Sequence, residues 1–328
     1  VFTNLFRDQL DRYGEVDTVA ARWQQAVSTL PTDTILVLNA DDPTTANLGE
    51  AFTGQVRYFG IDDPSLDLAA QSSSSERHQV IDSRTCPRCG SDYTYTVRFY
   101  SHMGHYSCPN CGYTRPQPDV RAVKVFTDDF DRLRMLVETP TQQGEIIIPL
   151  PGLYNVYNAL AAITAAFALQ INWKPIVTGI EQFKPVFGRG ERIQVDGRTI
   201  RLLLAKNPTG FNEVLRTLFS DGTPRHVLFI LNDNTADGRD ISWIWDVDFE
   251  RILHQTGTLV VAGTRSLDLA LRLKYAGISK GDMMIVPPAL LHTARRGVLF
   301  NLRIKSRRSR KRNVNVAVSY THLTLPTI

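Results

Sequence analysis

RTIRLLLAKNPTGFNEVLRTLFSDGTPRHVLFILND, residues 198–233, decides the fold. The apolar run RTIRLLLAK predicts a strand, KNPTG a turn, FNEVLRTLF a helix and HVLFILND a second strand. The alternation continues with the loop DNTADGRD, a helix over WIWDVDFERIL, a strand at TLVVAG, a helix LDLALRLKYAG ending at Gly277, and a strand at MMIVP. Near-continuous apolar strands alternating with helices indicate a parallel sheet covered on both faces, an α/β domain. Such sheets bind ligands beyond the carboxyl ends of their strands. That rule selects Lys206 and Asn207, Asn232 and Asp233, and Gly263, Thr264 and Arg265. Asp237 and Asp240 share the loop with Asp233. Trp243 and Trp245 follow it, as core or as a partner-binding surface.

Upstream, a helix is expected over 15–28, strands at TILVLN (34–39) and RYFG (57–60), and a polar approach over 61–85. Three antiparallel strands are expected within 123–150, then a long alanine-rich helix over 152–171. Between them lie the four cysteines of the chain, Cys86, Cys89, Cys108 and Cys111, spaced C-x2-C-x18-C-x2-C. This is the spacing of a four-thiolate zinc site. Two residues between thiolates let both sulfurs reach one ion from a tight turn. Gly90 and Gly112 follow each pair, where the backbone must open without a side chain in the way. Tyr93, Tyr95, Val97 and Phe99 alternate with polar residues, which predicts a strand, a turn at SHMGH and a returning strand at Tyr106: a zinc ribbon. His102 and His105 in that turn are expected at the surface, because four thiolates already fill the ion. A closed four-ligand site is structural, and it leaves no thiol free as a nucleophile.

Composition describes an ordinary globular chain: 328 residues, 43% hydrophobic and 21% charged, with a formal net charge of +4. The length suggests two domains. Nine basic residues and no acid fall between 295 and 312, so the rest of the chain is mildly acidic. Residues 301–328 show no periodicity matched to the preceding fold and read as a basic, non-native tail. The start at Val1 reads as the middle of a longer chain, because VFTN already resembles a strand end. Paired CxxC motifs suit a reducing cytoplasm, and no apolar run reaches the ~18 residues of a membrane helix.

These motifs converge on a family. VFTNLFRDQLDRYG followed by LVLNADDP is similar to the Mur ligase central domain, and GLYNVYNALAA resembles its asparagine-bearing helix. FGRGER resembles its domain-boundary arginine segment, and AKNPTGFNEVL the entry to its C-terminal domain. The zinc ribbon, with LNDNTADGRDISWIWDVDFE and GTRSLDLALRLKYAG, resembles the amidating branch of the family. That branch is the ligase subunit of lipid II isoglutaminyl synthase.

The resemblance implies a central ATPase domain over 1–188 carrying the ribbon at about 84–116, and a Rossmann-like α/β domain over 189–300. It implies ATP and Mg²⁺ as cofactors beside a structural Zn²⁺. The implied reaction phosphorylates the α-carboxylate of D-glutamate in the lipid II stem peptide, and ammonia then gives D-isoglutamine. The ammonia comes from a glutamine amidotransferase subunit in a heterodimer, and the site of action is the cytoplasm at the inner membrane face. By resemblance Asn155 and Asn158 approach the adenine, Arg192 the nucleotide, and Lys206 and Asn207 line the cleft between domains. An aspartate serving the amidotransferase site is implied, with Asp233 first and Asp237 and Asp240 as alternates.

Three departures from the family pattern stand out. Gln9 occupies the place of a metal-binding histidine, which puts a second magnesium in doubt. Around Arg22 and Trp23 there is no lysine to be carbamylated. No GxxxxGK[ST] phosphate loop occurs, so the chain by itself is expected to be inactive. Two other readings compete: an amino-acid-adding Mur or folylpolyglutamate-type ligase, and a nucleic-acid-binding ribbon protein using the basic tail. The acidic body argues against nucleic acid, and the ribbon against an ordinary ligase.

Overall fold

Ile35–Asn39 (β1) buries four of its five residues, as an apolar run beside parallel neighbours should. In the computed structural model the described residues are 1–8, 14–68, 81–129, 131–184, 189–195, 198–234, 238–286 and 314–319. The chain divides into two units, Val1–Arg7 with Tyr13–Lys184, and Asp8–Arg12 with Pro185–Ile328.

In the first unit, helix Val16–Ser28 (α1) precedes β1. Then come Pro43–Asn47 (α2), Gln55–Ile61 (β2), the hairpin Thr94–Tyr100 (β3) and Met103–Ser107 (β4), and Val120–Asp129 (β5). Arg132–Glu138 (β6), Gln143–Ile148 (β7), Leu153–Ala168 (α3) and Trp173–Glu181 (α4) complete it. The sheet order is β1-β2-β5-β6-β7. β1, β2 and β5 run parallel, and β5, β6 and β7 antiparallel. Phe2 adds a parallel bridge to Leu38, so Thr3 and Asn4 leave the sheet at the same edge as the end of β1. The small residues of α3 let it lie close on the sheet, where Val156, Tyr157, Leu160 and Ile163 pack with Phe59, Met135 and Ile146. β3 and β4 form a separate two-stranded sheet.

The second unit contains Arg189–Val195 (β8), Arg198–Leu204 (β9), Pro208–Leu218 (α5), Arg225–Leu231 (β10), Thr256–Ala262 (β11), Ser266–Tyr275 (α6), Met283–Ile285 (β12) and Val314–Ser319 (β13). Its six-stranded sheet has the order β12-β11-β10-β13-β9-β8. All neighbours are parallel except the edge strand β8. The βαβ reading of 198–233 is therefore correct, with one addition. β9 and β10 are not neighbours, because β13 lies between them.

Two expectations differ from this structure. The stretch 301–328 was expected to be unmatched to the fold, yet six of its residues form β13 in the middle of the sheet. Its sequence VNVAVS places valine at every second position, which is a strand pattern, but the slot it enters is set by strands far away in the chain. The helix expected over WIWDVDFERIL is two short 3₁₀ turns, Ser242–Asp246 and Phe249–Ile252. Val247 between them is extended, and its carbonyl accepts from Arg272 Nη2 at 2.6 Å. The buried residues fall three apart, Ile244 with Val247 and Phe249 with Ile252, which suits 3₁₀ geometry.

Candidate metal centre and strand-end sites

Each knuckle is a tight turn closed onto its first cysteine. Gly90 N–H donates to the Cys86 carbonyl at 2.8 Å, and Gly112 N–H to the Cys108 carbonyl at 3.1 Å. Both glycines are left-handed, at φ 75° and 74°, which is why glycine stands there. The turns bring the four sulfurs within 4.8 Å of one another. Cys86 and Cys111 sulfurs are 3.6 Å apart, and Cys89 and Cys108 sulfurs 3.3 Å. A tetrahedral zinc with Zn–S of about 2.3 Å spaces its sulfurs by about 3.8 Å, so the donor set fits. The Ser91 N–H, the Asn110 amide and the Cys108 thiol draw Cys89 down to about 6. For Cys111 the Tyr113 N–H pulls downward, but desolvation and the other three thiols outweigh it and push it up to about 12. Crowded thiols resist ionising together, and a bound dication removes that resistance. Tyr93, Tyr106 and Tyr113 pack around Cys86 and Cys108 and bury that half of the centre, while Cys89 and Cys111 are exposed.

The carboxyl edge of the first sheet holds a second constellation that the sequence reading did not single out. Asp41 and Asp42, just after β1, are completely buried. Asp41 accepts from Ile61 N–H at 2.8 Å, the Tyr157 hydroxyl at 2.8 Å and Arg115 Nε at 2.5 Å. Asp42 caps α2 through Thr44 and Thr45 N–H at 2.9 and 3.0 Å, and accepts from Leu5 N–H at 2.7 Å. His102 Nε2 lies 3.4 Å from it. Burial alone would raise the pKa of Asp42, but His102 and the Thr45 and Leu5 N–H groups outweigh it and hold the carboxyl below its usual range. His102 was expected at the surface. It is fully buried, under the ring of Phe6 at 4.7 Å, while His105 is partly buried and bonds the Ile61 carbonyl at 2.7 Å. The NADDP run at 39–43 was the available signal, since an acid pair directly after a buried strand falls at a ligand edge.

In the second unit the ends of the adjacent strands β10 and β11 meet. Thr264 N–H donates to Asn232 Oδ1 at 3.0 Å, and the Thr264 hydroxyl to Asp233 Oδ1 at 2.7 Å. Arg265 Nε stands 3.6 Å from Asp233 Oδ2 and 3.3 Å from Asp268. Gly263 makes this junction possible. Its φ is +106°, and a Cβ there would sit 2.0 Å from the Leu231 carbonyl oxygen. Gly263→Ala is therefore expected to destabilise the second unit by about 3 kcal/mol or more, read as a lowered urea midpoint.

The remaining candidates are distributed between the units. Asn155 and Asn158 lie on α3 of the first unit. Asn155 is buried, donates to the Pro151 carbonyl at 2.6 Å and accepts from Asn158 at 3.2 Å, while Asn158 itself is exposed. Arg192 is an exposed residue of β8 in the second unit. Lys206 follows β9, and Asn207 caps α5 by accepting from Gly210 N–H at 2.7 Å. Asp240 accepts from Ser242 N–H at 2.8 Å, opening the first 3₁₀ turn. Asp237 lies outside the described residues.

An α/β unit built on a mixed sheet with an embedded four-thiolate ribbon, followed by a second α/β unit, defines a class. Residues 1–166 match the family model of the Mur ligase middle domain, and the chain belongs to the Mur ligase family. Within that family, residues 204–323 match the model of the MurT ligase C-terminal domain. The chain is similar to the lipid II isoglutaminyl synthase (glutamine-hydrolyzing) subunit MurT of Streptococcus pneumoniae, 34% identical over 84% of this chain and 59% of that protein. It is similar to the subunit of the same name from Staphylococcus aureus, 35% identical over 85% and 60%. The chain thus spans about 60% of the length of these relatives. Among solved structures, a pseudomurein peptide ligase type C from Methanothermus fervidus shares the fold with TM-score 0.68 and 23% identity, over 97% of this chain and 60% of that one. MurF from Acinetobacter baumannii does so with TM-score 0.61 and 16% identity, over 98% and 56%.

Proposed function

We propose that this chain is part of an ATP-dependent carbon–nitrogen ligase subunit that amidates the α-carboxylate of D-glutamate in the lipid II stem peptide during peptidoglycan synthesis. The observation that carries the reading is a closed four-cysteine cluster inside a Mur ligase middle domain, joined to a MurT-type C-terminal domain. A carboxylate resists attack by an amine until phosphorylation makes phosphate a leaving group. ATP would transfer its γ-phosphoryl group to the carboxylate oxygen and leave as ADP, and a Mg²⁺ ion would offset the charge; ammonia would then bond the acyl carbon and lose a proton as phosphate departs. All four cysteines of the chain lie in the cluster that fits a metal, which supports a reading in which the thiol that hydrolyses glutamine comes from an amidotransferase partner.

On this reading Asn155 and Asn158 approach the adenine, with the Asn158 amide donating to Asn155, and Arg192, Lys206 and Asn207 serve the nucleotide. Asp233 serves the amidotransferase site, with Asp237 and Asp240 as alternates. No described helix is long and apolar enough to cross a membrane, and the reading has the enzyme meet lipid II from the cytoplasmic side.

The test is reconstitution of the full-length gene product with the amidotransferase, lipid II, ATP and glutamine, following the product by mass. Amidation is expected, and its absence with wild-type protein sinks the proposal. Asp233→Asn keeps the size of the side chain and is expected to lower glutaminase activity by about 100-fold or more. Unchanged glutaminase activity removes Asp233 from this role.

A further inference from the structure

We propose that the zinc ribbon is the clamp of the Asp41–Asp42 turn, with Arg115 and His102 as its positioning residues, so that metal loading sets the shape of the ligand edge of the first sheet.

Two wholly buried carboxylates side by side require compensating partners, because an unpaired buried ion is strongly disfavoured. Arg115 pairs with Asp41, and the buried His102 Nε2 stands 3.4 Å from Asp42. Both come from the ribbon, at opposite ends of β4. His102 sits in the turn before the strand, beside Ser101 at φ 47°, with its carbonyl accepting from the Tyr95 hydroxyl at 3.0 Å. Arg115 follows the second knuckle. Its N–H donates to the Tyr106 carbonyl at 3.1 Å, next to the Ser107–Thr114 bridge and the 2.7 Å bond from Cys108 N–H to the Tyr113 carbonyl. The backbone that presents the guanidinium is therefore held by the metal knuckle itself. Between the two, Gly104 N–H donates to the Asp41 carbonyl at 2.9 Å. The five residues of β4 span about 17 Å, enough to carry the state of the metal from the cysteines to the turn. Arg115 also pairs with Asp62 at 2.9 Å and donates to the Ile61 carbonyl at 3.1 Å, so it joins the ends of β1 and β2.

The identity of the ligand at this edge rests on the ligase reading; the clamp rests on the contacts. Hydrogen exchange without ATP or lipid II separates the two, since failed amidation leaves the exchange result standing. The probes are the amides of Leu5 and Ile61, bonded to Asp42 and Asp41, and of Thr44 and Thr45, bonded to Asp42. Stripping zinc from the wild-type protein is expected to speed their exchange at least about tenfold, with the β6–β7 amides unchanged. Arg115→Met, with an unchanged cobalt–thiolate spectrum after cobalt loading, is expected to do the same while metal stays bound. Arg115→Lys is expected to restore part of the protection. Unchanged exchange at the four amides on metal removal overturns the proposal, as does equal acceleration in β6–β7, which would make the ribbon a general stabiliser. If Arg115→Met does not fold, the metal titration of the wild-type protein decides.

Discussion

Cys111→Ser is expected to yield a protein without bound zinc and with an unfolded ribbon. Cys111 is the suitable choice because its side chain is exposed, so the substitution removes a thiolate with little effect on packing. Structural zinc contributes apparent binding free energies of about 10–16 kcal/mol, and that energy is folding energy. A two-stranded hairpin such as β3–β4 is marginal alone. Its own core is a tyrosine cluster around Cys86 and Cys108, whose burial depends on the turns closing over the ion. Zinc content by elemental analysis should fall from about one equivalent per chain to near zero. Protease should then cut between residues 84 and 116 while the β5–β6–β7 strands survive. Zinc retained at one equivalent would refute the four-thiolate assignment.

Removing residues 313–328 is expected to abolish cooperative unfolding of the second unit. β13 pairs over six residues with β10 and over five with β9. Each backbone hydrogen bond contributes about 1 kcal/mol net, and both neighbours lose a ladder together. The deletion opens a slot of about 9.6 Å between two parallel strands, twice the spacing of adjacent strands. Domains hold only about 5–15 kcal/mol of net stability, so a loss of this size consumes most or all of it. Urea unfolding followed by far-ultraviolet circular dichroism should lose the transition of the second unit, with the first unit retained. An unchanged profile would return 313–328 to the status of a tail.

The zinc ribbon was legible because metal chemistry is local. Two cysteines two residues apart, with glycine behind them, specify a knuckle wherever it stands. The strands and helices of 198–233 were legible for a similar reason, since apolar periodicity is set by near neighbours. His102 was not legible. A histidine in a polar hairpin turn looks exposed, and only the docking of the hairpin on Asp42 and Phe6 buries it. The 3₁₀ turns at 242–252 escaped because the Arg272 guanidinium that bonds Val247 comes from a later helix.

The sequence by itself determined the metal cluster, the α/β class and the strand ends where Asn232, Asp233 and Thr264 meet, because these follow from spacing and period over a few residues. Only the tertiary structure decided that β13 fills the centre of the second sheet, and that Arg115 and His102 pack against Asp41 and Asp42. The physical reason is range. A strand slot and a buried ion pair join residues tens of positions apart, and their energies exist only once the chain has closed that distance.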